Sequence, residues 1–117
     1  MIYYGEIMPN HEFGIMPTSP KAYELFETYE PEKYNCISIN DDYIELIMAA
    51  INKIDCYWHT LQRPGKGLAY YGVTLIPPQS MADFVDILEC KKQEYYPLIS
   101  LVKKAQEGGN FIIHFGI

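Results

Sequence analysis

A chain of 117 residues, 49% hydrophobic and 21% charged, is long enough for one domain with its own core and too apolar to be disordered. Its net charge of −6 argues against direct nucleic-acid binding, because the nine bases are scattered or paired as Lys91-Lys92 and Lys103-Lys104 and form no basic stripe. No apolar run approaches the roughly 20 residues that cross a bilayer. Met1-Ile2-Tyr3-Tyr4-Gly5-Glu6 also lacks the basic start and apolar stretch of a secretory signal, so the chain reads as cytoplasmic, with no membrane partner.

Residues 1–18 read as extended or irregular, with Ile2-Tyr3-Tyr4 and Phe13-Gly14-Ile15-Met16 as short apolar pieces punctuated by prolines. A helix is predicted from Ser19, which can cap it, with Pro20 in its first turn. Ala22, Tyr23, Leu25, Phe26 and Tyr29 would form its apolar side, with Glu24 and Glu27 opposite, and Pro31 would stop it. Tyr34-Asn35-Cys36-Ile37-Ser38-Ile39 alternates as a strand does. Asn40 or Asp41 then caps a second helix, whose Ile44, Ile47, Met48, Ile51 and Ile54 recur at helical spacing.

Cys56-Tyr57-Trp58-His59 reads as a short strand and residues 61–68 as a loop. Residues 70–76 are the clearest strand, ended by Pro77-Pro78. Ser80 with Asp83 resembles a capping box opening a long helical region. Pro97 divides that region, so a kink or two helices meeting near Tyr95 are expected, with Gly108-Gly109 as the C-cap. Residues 111–115 form a last strand whose near-continuous apolar character predicts burial on both faces. The order of elements predicts a single-domain α+β or α/β fold over residues 1–117, with helices packed on a small mixed sheet. Residues 70–76 and 111–115 are expected to be joined by a right-handed parallel crossover.

Candidate chemistry is sparse. Cys56-x-x-His59 lacks the second ligand pair that a structural zinc site needs, so no metal is expected. Cys56 with His59, or Cys36 with His114, would serve as nucleophile and base only if brought together in an electropositive cleft. His114, in its apolar strand, reads as a core histidine with one hydrogen bond. Gly65-Lys66-Gly67 is too short for a phosphate loop, and no cofactor is expected. Three cysteines, an odd number and far apart, read as reduced.

The charge pattern is the most informative feature. Residues 24–45 hold seven acids against Lys33 alone, which is the entire net charge, while the rest of the chain balances. Such a field steers encounter with a basic partner. Exposed acids at helix starts are otherwise ordinary. The candidate partner-binding residues are Glu24, Glu27, Asp41, Asp42 and Glu45, with Tyr23, Tyr34 and Tyr43 beside them. The two helices must lie side by side for the field to focus.

Residues 70–80, Tyr-Tyr-Gly-Val-Thr-Leu-Ile-Pro-Pro-Gln-Ser, followed by an amphipathic helix and a terminal Ile112-Ile113-His114-Phe115-Gly116-Ile117, resemble a pattern in small bacterial toxin-immunity proteins. The resemblance covers the last 50 residues or so and implies a cytoplasmic, non-enzymatic protein that binds and neutralises a cognate toxin domain, often a nuclease. It supplies no catalytic residues. The alternatives are a small enzyme with a Cys/His or carboxylate site, and a self-associating module. Either a monomer or a homodimer fits.

Overall fold

The computed structural model describes residues 9–91 and 95–117. Ile2-Tyr3-Tyr4 lies outside them. Six strands form one antiparallel sheet: β1 (Asn10–Ile15), β2 (Ile37–Asn40), β3 (Asp55–Trp58), β4 (Pro64–Lys66), β5 (Val73–Ile76) and β6 (Ile112–Phe115). Their order is β2-β1-β6-β5-β3-β4. Three α-helices accompany them: α1 (Asp41–Ile51), α2 (Met81–Glu89) and α3 (Tyr96–Gly108). The fold is α+β.

The sheet is sandwiched. On one face Phe13, Ile39, Ile76 and Ile112 meet Ile44, Ile47 and Ile51 of α1, Met81, Phe84 and Leu88 of α2, and Leu98, Val102 and Ala105 of α3. Burial of a side chain of this size contributes about 1.5–3 kcal/mol, so this face supplies most of the driving force. On the other face Val73, Leu75, Ile113 and Phe115 pack with Met16, Tyr34 and Phe26. Strand β6 sits in the middle, and all four of its residues are buried, as its apolar run predicted.

Three expectations are corrected. Residues 20–30 contain no helix. They form an irregular cover over the second face, in which Pro20 is buried and Phe26 half-buried, while Tyr23, Leu25 and Tyr29 are exposed. The link from β5 to β6 is not a parallel crossover: the two strands pair antiparallel, with Val73 opposite Phe115 and Ile76 opposite Ile112. The physical reason lies in the break near Tyr95. Two helices, not one, join the strands, so the chain crosses the layer twice and returns reversed. Ser80 does not cap α2 through its side chain. Its hydroxyl donates to the Asp55 carbonyl at 2.6 Å and so ties the helix start to β3.

Other local expectations hold. Pro97 lies in the first turn of α3, where its missing N–H costs nothing, and Gly109 ends that helix at φ 66. Asn40 caps α1 by accepting from the Asp42 amide at 2.8 Å. The predicted loop 61–68 contains β4, whose Gly65 lets the Trp58 ring lie where a Cβ would stand.

Candidate functional site

Alternation along the strands sends His11 and Phe13 of β1, His114 of β6 and Thr74 of β5 to the helix face. His114 pairs across the sheet with Phe13 on one side and Thr74 on the other. The start of α1 brings Asp41 over the same corner. The result is a closed polar chain inside an apolar core. Tyr70 Oη donates to both carboxylate oxygens of Asp41, at 2.6 and 2.7 Å. His11 Nε2 lies 2.8 Å from Asp41 Oδ1, and His11 Nδ1 lies 2.8 Å from His114 Nε2. His114 Nδ1 is 3.1 Å from Thr74 Oγ1, which accepts from the Ala69 amide at 2.8 Å. Ala69 and Tyr70 are neighbours, so the chain ends beside its start.

Donor counting fixes the direction of these bonds in the neutral pair. The carboxylate only accepts, so His11 donates from Nε2 and its Nδ1 is bare. His114 therefore donates from Nε2 and accepts at Nδ1 from the Thr74 hydroxyl. Each group finds a partner, and among the described residues no buried side-chain polar atom is left unsatisfied. Burial, and then the charge on His11, push His114 well below the ordinary histidine value. Burial opposes the Asp41 charge, yet the hydrogen bonds from Tyr70 and His11 outweigh it and hold the carboxyl below its usual range. Both histidines are 0% exposed, so neither ring reaches a substrate in this conformation.

The sequence pointed to His114 as a core histidine but missed His11 and its link to Asp41. The available signal was a second histidine in a strand of otherwise alternating pattern. Asp41 was expected at the surface. It is 8% exposed, and its oxygens are already occupied. It lies with Asp42 and Glu45 in a grouping of carboxylates within 4.8 Å, but those two are exposed and solvated.

The proposed Cys/His pairs do not form. Cys56 is buried in the helix-face core, and burial pushes its thiol up to about 12. His59, at φ 68, instead holds the cover: its Nδ1 donates to the Phe26 carbonyl at 3.2 Å. Cys36 is likewise pushed up to about 12 by burial, and His114 is committed to His11 and Thr74.

The acidic block is divided by the sheet. Glu24 and Glu27 lie in the cover on the second face, whereas Asp42 and Glu45 lie on α1, which packs against the first. The two halves do not focus one field. Tyr34 is 8% exposed and belongs to the second core. Tyr23 is 82% exposed and Tyr43 38%.

The cover itself is well anchored. The Phe26 amide donates to the His59 carbonyl at 2.7 Å, and Gln62 Nε2 donates to the Ala22 carbonyl at 2.7 Å. The Tyr29 hydroxyl donates to Glu12, which raises the Tyr29 value to about 12, and its ring meets Phe115 edge-on. Between these anchors Tyr23, Glu24, Leu25 and Glu27 project outward. Beside them a cleft of about 300 Å³ is lined by Met16, Phe26 and Tyr34 together with Lys21, Glu24 and Lys33. Among the described residues no helix is long and apolar enough to cross a membrane. Comparison with protein-family models, curated proteins and solved structures finds no match to this chain.

Proposed function

We propose that this chain is an inhibitor-type binding protein of the bacterial immunity kind, which uses the cover of residues 20–30 to mask a basic site on a cognate toxin domain. One observation carries the reading: an irregular segment, pinned at Ala22, Phe26 and Tyr29, presents Tyr23 and Leu25, 82% and 58% exposed, among Glu24, Glu27 and Glu30. Long structureless segments in compact domains are commonly functional. Exposed tyrosine flanked by carboxylates suits a partner that is itself positive, as the phosphate-binding site of a nuclease is. Anchoring lowers the ordering cost of association. The elevated thiols of Cys36 and Cys56 and the sealed histidines favour a binder over an enzyme.

The sheet turns the acidic block into two surfaces, and a single rigid partner engages one of them. Two variant sets separate the surfaces, tested with the toxin encoded beside this gene. Tyr23→Ser with Glu24→Ser and Glu27→Ser should weaken binding at least about 100-fold, mostly through faster dissociation at Tyr23 and slower association at the acids. Asp42→Ser with Glu45→Ser should change it less than about threefold. Asp41 is left intact, because replacing it would unpair His11. Undiminished protection by the first set would overturn the assignment of the cover, and loss only with the second set would move the site to α1.

A further inference from the structure

We infer that His11 and His114 form an acid-operated latch: a second proton on the pair forces the rings apart and frees the turn at Ala69–Gly72 from the start of α1. The inference is independent of the partner reading and rests on donor counting at one contact. His11 Nδ1 and His114 Nε2 are 2.8 Å apart, with ring planes 14° apart and centroids 5.1 Å apart, so the rings meet edge to edge as an in-plane N–H···N bond requires. The neutral pair places one hydrogen between these nitrogens, donated by His114. One added proton is accommodated by reversal: His11 becomes a cation between the Asp41 carboxylate and His114, and donates to a bare Nε2. His114 then donates from Nδ1 to Thr74. A second proton has no place. Both facing nitrogens would carry hydrogens across 2.8 Å, and two cations would meet edge to edge at 0% exposure.

The surroundings offer no relief. His11 faces Ile39 of β2 across the strand pair, Tyr70 edge-on at 5.2 Å, and Asp41 of α1. His114 faces Phe13 of β1 at 4.9 Å and Thr74 of β5. Tyr71 and Glu45 act electrostatically on Tyr70, the exposed Asp42 and Glu45 carboxylates lie within 4.8 Å of the Asp41 carboxylate, and among the described residues Asp41 is the one carboxylate hydrogen-bonded to either histidine ring. The weakest link is therefore the exposed rim. The Ala69–Gly72 turn is held by the Thr74 hydroxyl, by Tyr70 on Asp41, and by the Gly116 and Ile117 amides donating to Gly72 and Tyr70 carbonyls at 2.7 and 3.0 Å. Separation of the rings releases Thr74 and Asp41 together, and with them the turn that carries Tyr71, 79% exposed.

The test is amide hydrogen exchange between pH 7.5 and 5.0, normalised to intrinsic chemistry, read beside ring ¹⁵N shifts of both histidines. The latch predicts that protection at Ala69 falls about tenfold per pH unit once acid passes the ordinary histidine range, as one-proton linkage requires, while Ile113 of β6, which exchanges only through larger openings, stays better protected than Ala69 at every pH. In His114→Gln the slope at Ala69 should vanish. In Tyr70→Phe, which keeps both histidines, protection at Ala69 should start lower and keep its slope. Two results would overturn the inference: both rings becoming imidazolium with Ala69 protection unchanged, or the same slope surviving in His114→Gln. Should His114→Gln fail to fold, constant protection in the wild type or loss of the slope in Tyr70→Phe would overturn it equally.

Discussion

Phe26 and His59, 33 residues apart, are joined by two hydrogen bonds: the Phe26 amide donates to the His59 carbonyl at 2.7 Å, and His59 Nδ1 donates back to the Phe26 carbonyl at 3.2 Å. The second bond places His59 at φ 68, a region that non-glycine residues visit at a cost. The chain accepts that cost where it fastens the cover to the end of β3. Gly72 makes room for the ring, because a Cβ there would stand 2.6 Å from His59 Nε2.

His59→Ala should therefore loosen the cover more than it destabilises the fold. Loss of the side-chain bond, with the backbone still left-handed, costs about 1 kcal/mol or slightly more. Protease cleavage within residues 20–30 should accelerate several-fold, with the β6 amides still protected. Binding to a partner through Tyr23 should weaken in step. Equal cleavage rates in wild type and variant would show that the anchors at Ala22 and Tyr29 suffice.

Two glycines separate steric demand from conformational demand. A Cβ on Gly116 would lie 2.1 Å from the Tyr70 carbonyl oxygen, which is backbone and cannot step aside. Gly116→Ala should cost about 2 kcal/mol or more and displace the turn at Tyr70. Gly109 has open space around its would-be Cβ but sits at φ 66. Gly109→Ala should cost about 1 kcal/mol, and Gly109→Asn less, since asparagine tolerates this region. Urea midpoints of the three variants would rank them.

Most of the layer opposite the cover was legible in the sequence, because α1 and the α2–α3 region carry periodic apolar stripes, with Pro97 marking the start of α3 and Gly109 its end. The cover was not. Residues 22, 23, 25, 26 and 29 have helical spacing, yet their backbone finds better partners in His59 and Gln62, and Phe26 alone turns inward. Tertiary pairing overrides a short local preference when the nucleation cost of a helix is not repaid by a buried face. Strand direction failed for a related reason. One helix or two between β5 and β6 decides parallel or antiparallel, and Pro97 permits either. The histidine pair required knowing that β1 and β6 are neighbours, a contact 103 residues apart in sequence.

Thiol chemistry gives an inexpensive check of the burial pattern. Cys90 is exposed, Cys56 buried and Cys36 half-buried, and burial pushes both of the latter up to about 12. At pH 8 the thiolate fraction of a group near 12 is about one in ten thousand. A disulfide reagent should therefore modify one thiol promptly in the native protein and three in denaturant, and Cys90→Ser should abolish the prompt phase. A second prompt thiol would place Cys36 at the surface, with the cover displaced.

The buried pair also predicts how global stability responds to acid. Burial, and then the charge on His11, hold His114 well below 6.5 in the folded protein, whereas the unfolded chain titrates near that value. Below about pH 6.5 the unfolded state binds more protons than the native state. The stability contribution of His114 is thus fully present above that range and is lost as pH falls toward the depressed folded value. The loss runs at up to about 1.4 kcal/mol per pH unit for one proton. Asp41 acts in the same direction lower down: its folded carboxyl lies below its ordinary 3.8, so its contribution is present above that value and is lost as pH falls through the folded one. Urea midpoints should then decline in two stages, the first starting near pH 6.5 and the second below about pH 4. His114→Gln should flatten the first stage and leave the second. A wild-type midpoint that stays level from pH 8 to pH 5 would mean that His114 takes up its proton without cost to the fold.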